Sequence, residues 1–239
     1  LSIRRQRQMC IRDSDNVEPH ERHLTDKPFN RYYLHSVDGF VYMSEQVHSE
    51  LRAYSDAPAL FSPHPLFENF GERVERSEAC VRLGLDPANR YVLFFGLIRD
   101  YKGLDLLLDA WAQLRRAGRT EGRRLIVAGE FYTAREPYLN RIADNGLQDE
   151  VLLHDRFIPD DDVKYYFSAA DFVVQPYKTA TQSGVTQIAY QFCVPMVVTK
   201  VGGLAEIVPD GRVGYVCEPT PEGVAGAIER MYEGDTLQR

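Results

Sequence analysis

The chain has 239 residues, of which 44% are hydrophobic and 26% carry charge, and its formal net charge is −7. This composition is ordinary for a globular protein, and the length allows one large domain or one and a half domains of common size. The negative balance argues against a nucleic-acid-binding protein, because no surplus of Lys and Arg offsets phosphate charge.

The four cysteines give no sign of a metal site or of a disulfide framework. They are scattered, without a CxxC pair and without a histidine at ligand spacing, so we expect reduced thiols in a cytoplasmic protein. No run approaches the roughly 18 apolar residues that span a bilayer, so any membrane association should be peripheral. The cysteines are Cys10, Cys80, Cys193 and Cys217.

The first 14 residues, LSIRRQRQMCIRDS, differ from the rest of the chain. They are basic, follow neither a helical nor a strand period, and stop before an acidic segment. The string resembles a translated sequencing adapter, and the alternative is a genuine basic tail. We therefore predict a non-native or disordered segment over residues 1–14 and exclude it from the fold.

Residues 15–65 are typical of the end of an α/β domain. GFVYMS (39–44) predicts a strand, EQVHSELRAY (45–54) a helix, and PALFSPHP (58–65) a short strand that runs into a proline-rich hinge. Roughly 50 residues are too few for a dependable core, so we expect the rest of this domain to be missing. The chain also stops without a terminating element, and we interpret it as a fragment.

From Tyr91 onward, apolar runs of strand length alternate with amphipathic helices. Such runs suit strands buried on both faces of a parallel sheet, and the helices between them imply right-handed βαβ units. We predict an α/β, Rossmann-like, doubly wound parallel sheet over residues 66–239, truncated at its C-terminus, with ligands bound beyond the carboxyl ends of the strands. The predicted strands are 91–96, 124–130, 151–155, 171–177, 195–200 and 214–219, and the predicted helices are 103–118, 137–146, 161–171 capped by Asp160, one from about Val185, and one from Pro221 to about Tyr232.

The loop FGLIRDYKG (95–103) is the first candidate site. Gly96 ends a buried strand and the following helix opens near Lys102, which places Arg99 and Lys102 at the carboxyl edge of the sheet. An anion there would meet a guanidinium, an ammonium and free backbone N–H groups. The alternative is a pair of solvated surface cations.

The segment TQSGVTQIAY (181–190) is the second candidate site. Small residues at Ser183 and Gly184 let a ligand approach the backbone, and the N–H groups of Gly184, Val185 and Thr186 should face it. The hydroxyls of Thr181, Ser183 and Thr186 add donors. The alternative is an ordinary helix cap by Ser183, and both interpretations can hold together.

A third segment, VGGLAEIVPDGRVGYV (201–216), places the turn Gly202-Gly203 at another strand end, with Glu206 close behind. Two common phosphate-binding motifs are missing from the chain. There is no GxGxxG after a strand and no GxxxxGK[ST], so the sequence lacks the dinucleotide fingerprint and the ATP phosphate loop. The acidic run DDD (160–162) is typical of a helix start rather than of a metal site.

Several motifs together resemble glycosyltransferase family 4, whose GT-B fold has two Rossmann-like domains. They are FGLIRDYKGLDLLLDA, LIVAGE, ADFVVQPY, TQSGVTQIAYQFCVPMVVTKVGGLAEIV and GYVCEP, in family order and at family spacing. The resemblance covers about Asp15 to Glu233. It implies that residues 15–65 are the end of the acceptor-side domain, a partial second Rossmann-like domain, and that residues 66–239 bind the nucleotide sugar.

The resemblance implies retaining, metal-independent transfer of a sugar to a saccharide or lipid-linked acceptor, in the synthesis of cell-surface polysaccharides or glycoconjugates. The nucleotide sugar is a co-substrate, and no cofactor is needed. We expect the fragment itself to be inactive, and the missing N-terminal domain to make any peripheral membrane contact.

The resemblance also implies roles for individual residues. Lys102, with Arg99, would hold the donor diphosphate beside Gly96, and the amides of Gly184 and Val185 would face the same phosphates. His20, in the DNVEPHE loop, would face the acceptor. Glu130, Phe157 and Ile158 would lie near the nucleotide base and ribose.

The sequence departs from the family pattern at two places. The family arginine usually follows the glycine directly, whereas Leu97 stands there and Arg99 comes two places later. The family also carries two glutamates separated by seven residues, and these positions are Ala180 and Ile188 here. Their contacts would pass to Gln182, Gln187 or Thr181.

Two other functions remain compatible with the sequence. One is a sugar-nucleotide epimerase of the same fold, which acts without an acceptor. The other is a non-catalytic domain that binds a nucleotide or a partner protein, which the missing glutamates would suit.

Overall fold

The computed structural model describes residues 11–14, 32, 34–63, 65–67 and 69–234. The chain divides into two compact units between residues 64 and 65. The predicted acceptor-side residue His20 lies outside the described residues, as does most of the segment 1–14.

The first unit contains a three-stranded parallel sheet in the order β1-β2-β3. Residues 11–14, which the sequence interpretation excluded from the fold, pair with β2 from Ile11 opposite Gly39 to Ser14 opposite Tyr42. Backbone N–H and C=O groups on the edge of a strand can pair with an extended segment that has no hydrophobic period. The elements are β1 (Ile11–Ser14), β2 (Gly39–Tyr42), α1 (Glu45–Arg52) and β3 (Ala59–Phe61).

The second unit is built on six parallel strands in the order β6-β5-β4-β7-β8-β9. The predicted fold class, an α/β doubly wound parallel sheet, is confirmed. Chain order runs outward from β4 in one direction through β5 and β6, and from β7 in the other direction through β8 and β9. The strands are β4 (Arg90–Phe95), β5 (Arg123–Ala128), β6 (Val151–His154), β7 (Phe172–Gln175), β8 (Met196–Thr199) and β9 (Gly214–Cys217).

Helices cover both faces of this sheet, because successive side chains of each buried strand point to opposite sides. On β4, Leu93 packs in one apolar cluster with α5 and α6, whereas Phe94 packs in a second cluster with α3, α4 and α8. No helix in the described part of the chain combines the length and apolarity that a bilayer crossing needs. The helices are α2 (Arg76–Leu83), α3 (Leu104–Arg116), α4 (Glu136–Asp144), α5 (Asp160–Ala169), α6 (Gly184–Gln191), α7 (Leu204–Ile207) and α8 (Pro221–Glu233).

Three local features differ from the sequence-based expectation. Helix α2 was not predicted, although Gly84 ends it in the left-handed conformation that suits a glycine. The short helix α7 was not predicted either, and it follows directly on the predicted turn at Gly202-Gly203. Asp160 is the first residue of α5 rather than its cap, because Pro159 occupies the extended cap position and the acidic side chains fill the first turn.

Candidate functional site at the carboxyl edge of the sheet

The strand order reverses between β4 and β7, which are neighbours in the sheet. The connections that follow such a pair of strands run in opposite directions along the sheet. A crevice therefore opens between them at the carboxyl ends of the two strands. The loop after β4 carries Arg99 and Lys102, and the loop after β7 leads to α6. The topology therefore brings the two candidate loops together.

The ammonium of Lys102 lies in this crevice. Its Nζ atom is 3.2 Å from the position that a Cβ atom would take on Gly96, and 5.8 Å from the centre of the Tyr177 ring. Burial lowers the pKa of the Lys102 ammonium to about 8, and the nearby Arg99 charge adds to the decrease.

Lys102 also differs from Lys178 in its ion pairing with the described residues. Lys178 pairs with Asp100 and Asp105 at 2.9 Å each. Among the described residues, in contrast, no carboxylate lies within ion-pairing distance of Lys102. The described part of the chain thus gives this ammonium no counter-ion, and an anionic ligand would supply one.

The position of Lys102 depends on close contact between the two loops. Residues Asp100–Lys102 form a 3₁₀ turn, which ends at Gly103 with φ +69°. A Cβ atom on Gly103 would lie 2.0 Å from the carbonyl oxygen of Pro176, so only glycine allows this approach. The backbone N–H of Lys178 donates to the carbonyl of Tyr101 at 2.7 Å, which ties the loops together.

Arg99 is half-buried beside the same crevice. Its guanidinium carbon lies 5.2 Å from the centre of the Tyr132 ring, in the loop after β5. Because the charge of Arg99 contributes to the lowered pKa of Lys102, the two cations act on the same region of space. Arg99 therefore adds positive charge to the crevice that holds Lys102.

Helix α6 points its first turn toward the crevice, and Ser183 caps it. The Ser183 hydroxyl accepts from the Val185 N–H at 3.2 Å, and the Ser183 carbonyl accepts from the Thr186 N–H at 3.1 Å. Among the described residues, none accepts a hydrogen bond from the exposed Gly184 N–H. Of the three amides predicted to face a ligand, Gly184 is therefore the one left open.

The Thr186 hydroxyl does not take the predicted ligand-facing position. Thr186 is fully buried, and its hydroxyl donates to the side-chain carbonyl of Gln175 at 3.1 Å. The side chain therefore faces the core beneath α6, because the helix turns it toward β7.

Among the three residues suggested to replace the family glutamates, Gln182 differs from the other two. Its Nε2 atom is buried and has no hydrogen-bond partner among the described residues. Thr181 and Gln187 are buried to 7% and 6% exposure. An unpaired buried donor is costly, so the Gln182 amide is the one that a ligand acceptor would satisfy.

A pocket of about 200 Å³ opens on the side of β4 that faces β5. It contains four of the predicted residues: Gly96, Glu130, Phe157 and Ile158. Glu130 is exposed at the rim, Phe157 is 66% exposed, and Ile158 is buried. An apolar pocket with a carboxylate at its rim is suited to a flat, partly polar group.

The sequence of the second unit matches a known protein family. Residues 89–234 match the family model described as glycosyl transferases group 1. The chain belongs to this family. The matched range includes the loops after β4 and β7 that line the crevice.

Curated relatives in the family have different substrates. The chain is 31% identical over 160 residues to D-inositol 3-phosphate glycosyltransferase of Pseudarthrobacter chlorophenolicus, which covers 66% of this chain and 38% of that protein. It is 26% identical over 216 residues to alpha-D-kanosaminyltransferase of Streptomyces kanamyceticus, and the match covers 87% of this chain and 54% of that protein. The chain thus spans about half or less of the length of these relatives.

Two solved structures share the fold. Sucrose-phosphate synthase from Thermosynechococcus elongatus superposes with a TM-score of 0.82 at 20% identity, over 96% of this chain and 60% of that one. Anabaena HepE in complex with UDP and glucose superposes with a TM-score of 0.74 at 18% identity, over 95% of this chain and 62% of that one.

Ala180 and Ile188 stand where the resemblance to family 4 predicts two glutamates, and both positions are buried in this group 1 protein. Ala180 and Ile188 are 5% and 6% exposed and pack in the cluster that contains Val185 and Ala189. Both side chains therefore belong to the hydrophobic core.

Two residues of the site were missed by the sequence interpretation. Tyr177 is buried under Lys102, and its hydroxyl lies 3.1 Å from that of Ser183. Tyr132 contacts Arg99. Each follows a buried strand at the carboxyl edge, and that position could have identified them. Across the part of the chain that the structure describes, no group of three or more potential metal ligands comes together.

Proposed function

We propose that this protein is a retaining glycosyltransferase of family 4, which transfers a sugar from a nucleotide-sugar donor to a saccharide or lipid-linked acceptor. Lys102 carries the proposal. Its ammonium is partly buried, lacks a carboxylate partner among the described residues, and lies at the carboxyl ends of the neighbouring strands β4 and β7. HepE, which has the same fold, was solved with UDP and glucose bound.

The proposed chemistry concerns the leaving group. Cleavage of the anomeric C–O bond leaves negative charge on the diphosphate and positive charge on the sugar. Lys102, Arg99 and the Gly184 amide stabilise the developing diphosphate charge with little rearrangement, because they are already placed. Charge-assisted hydrogen bonds contribute about 1.5–3 kcal/mol each, so the two cations supply roughly 3–6 kcal/mol, or about two to four decades in rate.

The remaining assignments follow from the same position of the diphosphate. The nucleoside occupies the pocket lined by Glu130, Phe157 and Ile158, and Gln182 donates to an oxygen of the donor. Because two side-chain cations take the place of a metal ion, UDP binding should survive chelation by EDTA. Retention of the anomeric configuration rests on the family alone.

The test uses the full-length protein and its K102A and R99A variants, with UDP and GDP as probes in calorimetry. Each variant should weaken binding of the preferred nucleotide by about 10- to 100-fold. K164A, which removes one positive charge on α5, serves as the control for net charge and should bind like the wild type. Unchanged affinity in both K102A and R99A would rule out the proposed phosphate site.

Product analysis separates the rival functions. Transfer that requires an added acceptor supports the proposal, whereas conversion of the donor alone identifies an epimerase. Nucleotide binding without either reaction would indicate a non-catalytic domain, a role that the apolar Ala180 and Ile188 positions would suit.

A further inference from the structure

The loops after β4 and β5 continue to pair beyond the regular strands. The backbone N–H of Ile98 donates to the carbonyl of Glu130 at 2.8 Å, and the N–H of Tyr132 donates to the carbonyl of Ile98 at 2.9 Å. Ile98 is fully buried, so the side chain of its neighbour Arg99 projects away from the core. These bonds place the backbone of Arg99 next to that of Tyr132.

The side chains of Arg99 and Tyr132 meet outside the core. The guanidinium carbon lies 5.2 Å from the ring centre, within the range of a cation–π contact. Tyr132 is 56% exposed, whereas nearly all other aromatic side chains of this unit are buried or half-buried. Among the described residues, the cation that its ring contacts is Arg99, which belongs to the proposed diphosphate site.

We propose that Tyr132 is a positioning residue for Arg99, whose guanidinium it holds in the orientation that meets the donor diphosphate. The inference rests on the proposed function. It explains how an arginine two places beyond the family position can serve the same anion, because the pairing of Ile98 brings it back beside the β5 loop.

A restraint of this kind is needed because the two cations repel each other in the empty site. Arg99 lowers the pKa of Lys102, so their charges interact across the crevice. A long arginine side chain loses rotamer freedom when it binds an anion. A ring that holds it in place before binding reduces that loss.

The experiment measures how much the second phosphate of the nucleotide adds to binding. Dissociation constants for UDP and UMP, and for GDP and GMP, are measured by calorimetry on the full-length protein. For each variant, the dissociation constant of the monophosphate is divided by that of the diphosphate, and this ratio is compared with the wild-type ratio. The variants are R99A, Y132A, Y132F and R99A/Y132A. The control is Y215A, which removes the ring that Arg230 contacts at 4.1 Å on the edge strand β9.

We expect Y132A to lower the ratio by about three- to tenfold without changing the affinity for the monophosphate. Y132F should keep the wild-type ratio, because the ring is retained, and Y215A should keep it as well. R99A/Y132A should match R99A alone, since the ring acts through the guanidinium.

Each other result has a definite meaning. A wild-type ratio in Y132A together with a reduced ratio in R99A would overturn the inference but would not contradict the proposed function. Additive losses in the double variant would also overturn it. A wild-type ratio in R99A would show that Arg99 does not bind the second phosphate, and the inference would then be wrong. The K102A variant would in that case decide whether the proposed phosphate site is correct.

Discussion

Lys102 fills the space that a side chain at Gly96 would occupy, with its Nζ atom 3.2 Å from the Cβ position of that residue. The Cγ2 atom of Val185, in the first turn of α6, lies 3.6 Å from the same point. The glycine at the end of β4 therefore makes room for the cation and for the helix start together.

The substitution G96A should weaken UDP or GDP binding by about tenfold or more, because the methyl group displaces the ammonium. It should also lower stability by about 1–2 kcal/mol, since Gly96 has φ +96°. The matched control is G118A, where φ is +70° and no atom lies within 4 Å of the added methyl. G118A should lose stability and keep its affinity. Equal affinities in the two variants would separate Gly96 from the binding site.

Donor affinity should decrease above about pH 8. The pKa of Lys102 in the free protein is about 8, and only the protonated form attracts the diphosphate, so the dissociation constant for UDP should increase by up to about tenfold per pH unit above that value. Calorimetry between pH 6.5 and 9.5 measures this dependence. K102M should bind weakly at every pH, and R99A should shift the decrease to higher pH because it removes the repulsion.

The same titration affects stability with the opposite sign. The pKa of Lys102 in the folded protein is below its ordinary value of 10.5, so the folded state disfavours the charged form. This unfavourable contribution is present in full below pH 8 and is relieved as pH rises from about 8 to 10.5. A wild-type protein whose affinity stays constant up to pH 9.5 would contradict both effects.

Restoring a family glutamate at Ile188 should damage the fold. Ile188 is 6% exposed within an apolar cluster, so I188E would bury a carboxylate and should cost roughly 3 kcal/mol or more in urea denaturation. I188V should cost about 0.5–1.5 kcal/mol, and I188Q separates the effect of polarity from that of charge. If I188E were as stable as I188V, the position would face the ligand and not the core.

The Thr186 hydroxyl should matter for stability and not for binding. It donates to Gln175 in the core, so T186V should lower the free energy of unfolding by about 1–3 kcal/mol and leave the dissociation constant for UDP unchanged. T186S, which keeps the hydroxyl, is the control for both measurements. A loss of affinity in T186V without a loss of stability would support the original, ligand-facing prediction for this side chain.

Local sequence patterns were sufficient for most elements of the second unit. The apolar run at 91–96 and the spaced leucines of 104–114 predict a buried strand and an amphipathic helix from short-range information alone. Helix α2 was missed because it is short and three of its four apolar residues, 79–81, are adjacent rather than at helical spacing. Residues 11–14 were excluded because strand pairing depends on a distant partner.

The sequence by itself also indicated that Arg99 and Lys102 end up at the carboxyl edge of a parallel sheet, since each follows a buried strand. Only the tertiary structure decided that β4 lies beside β7, which sets Lys102 over Tyr177 and against α6. It likewise turned Thr186 into the core and placed Tyr132 on Arg99. The physical reason is that strand order and side-chain direction depend on contacts between residues far apart in the chain, which no local periodicity encodes.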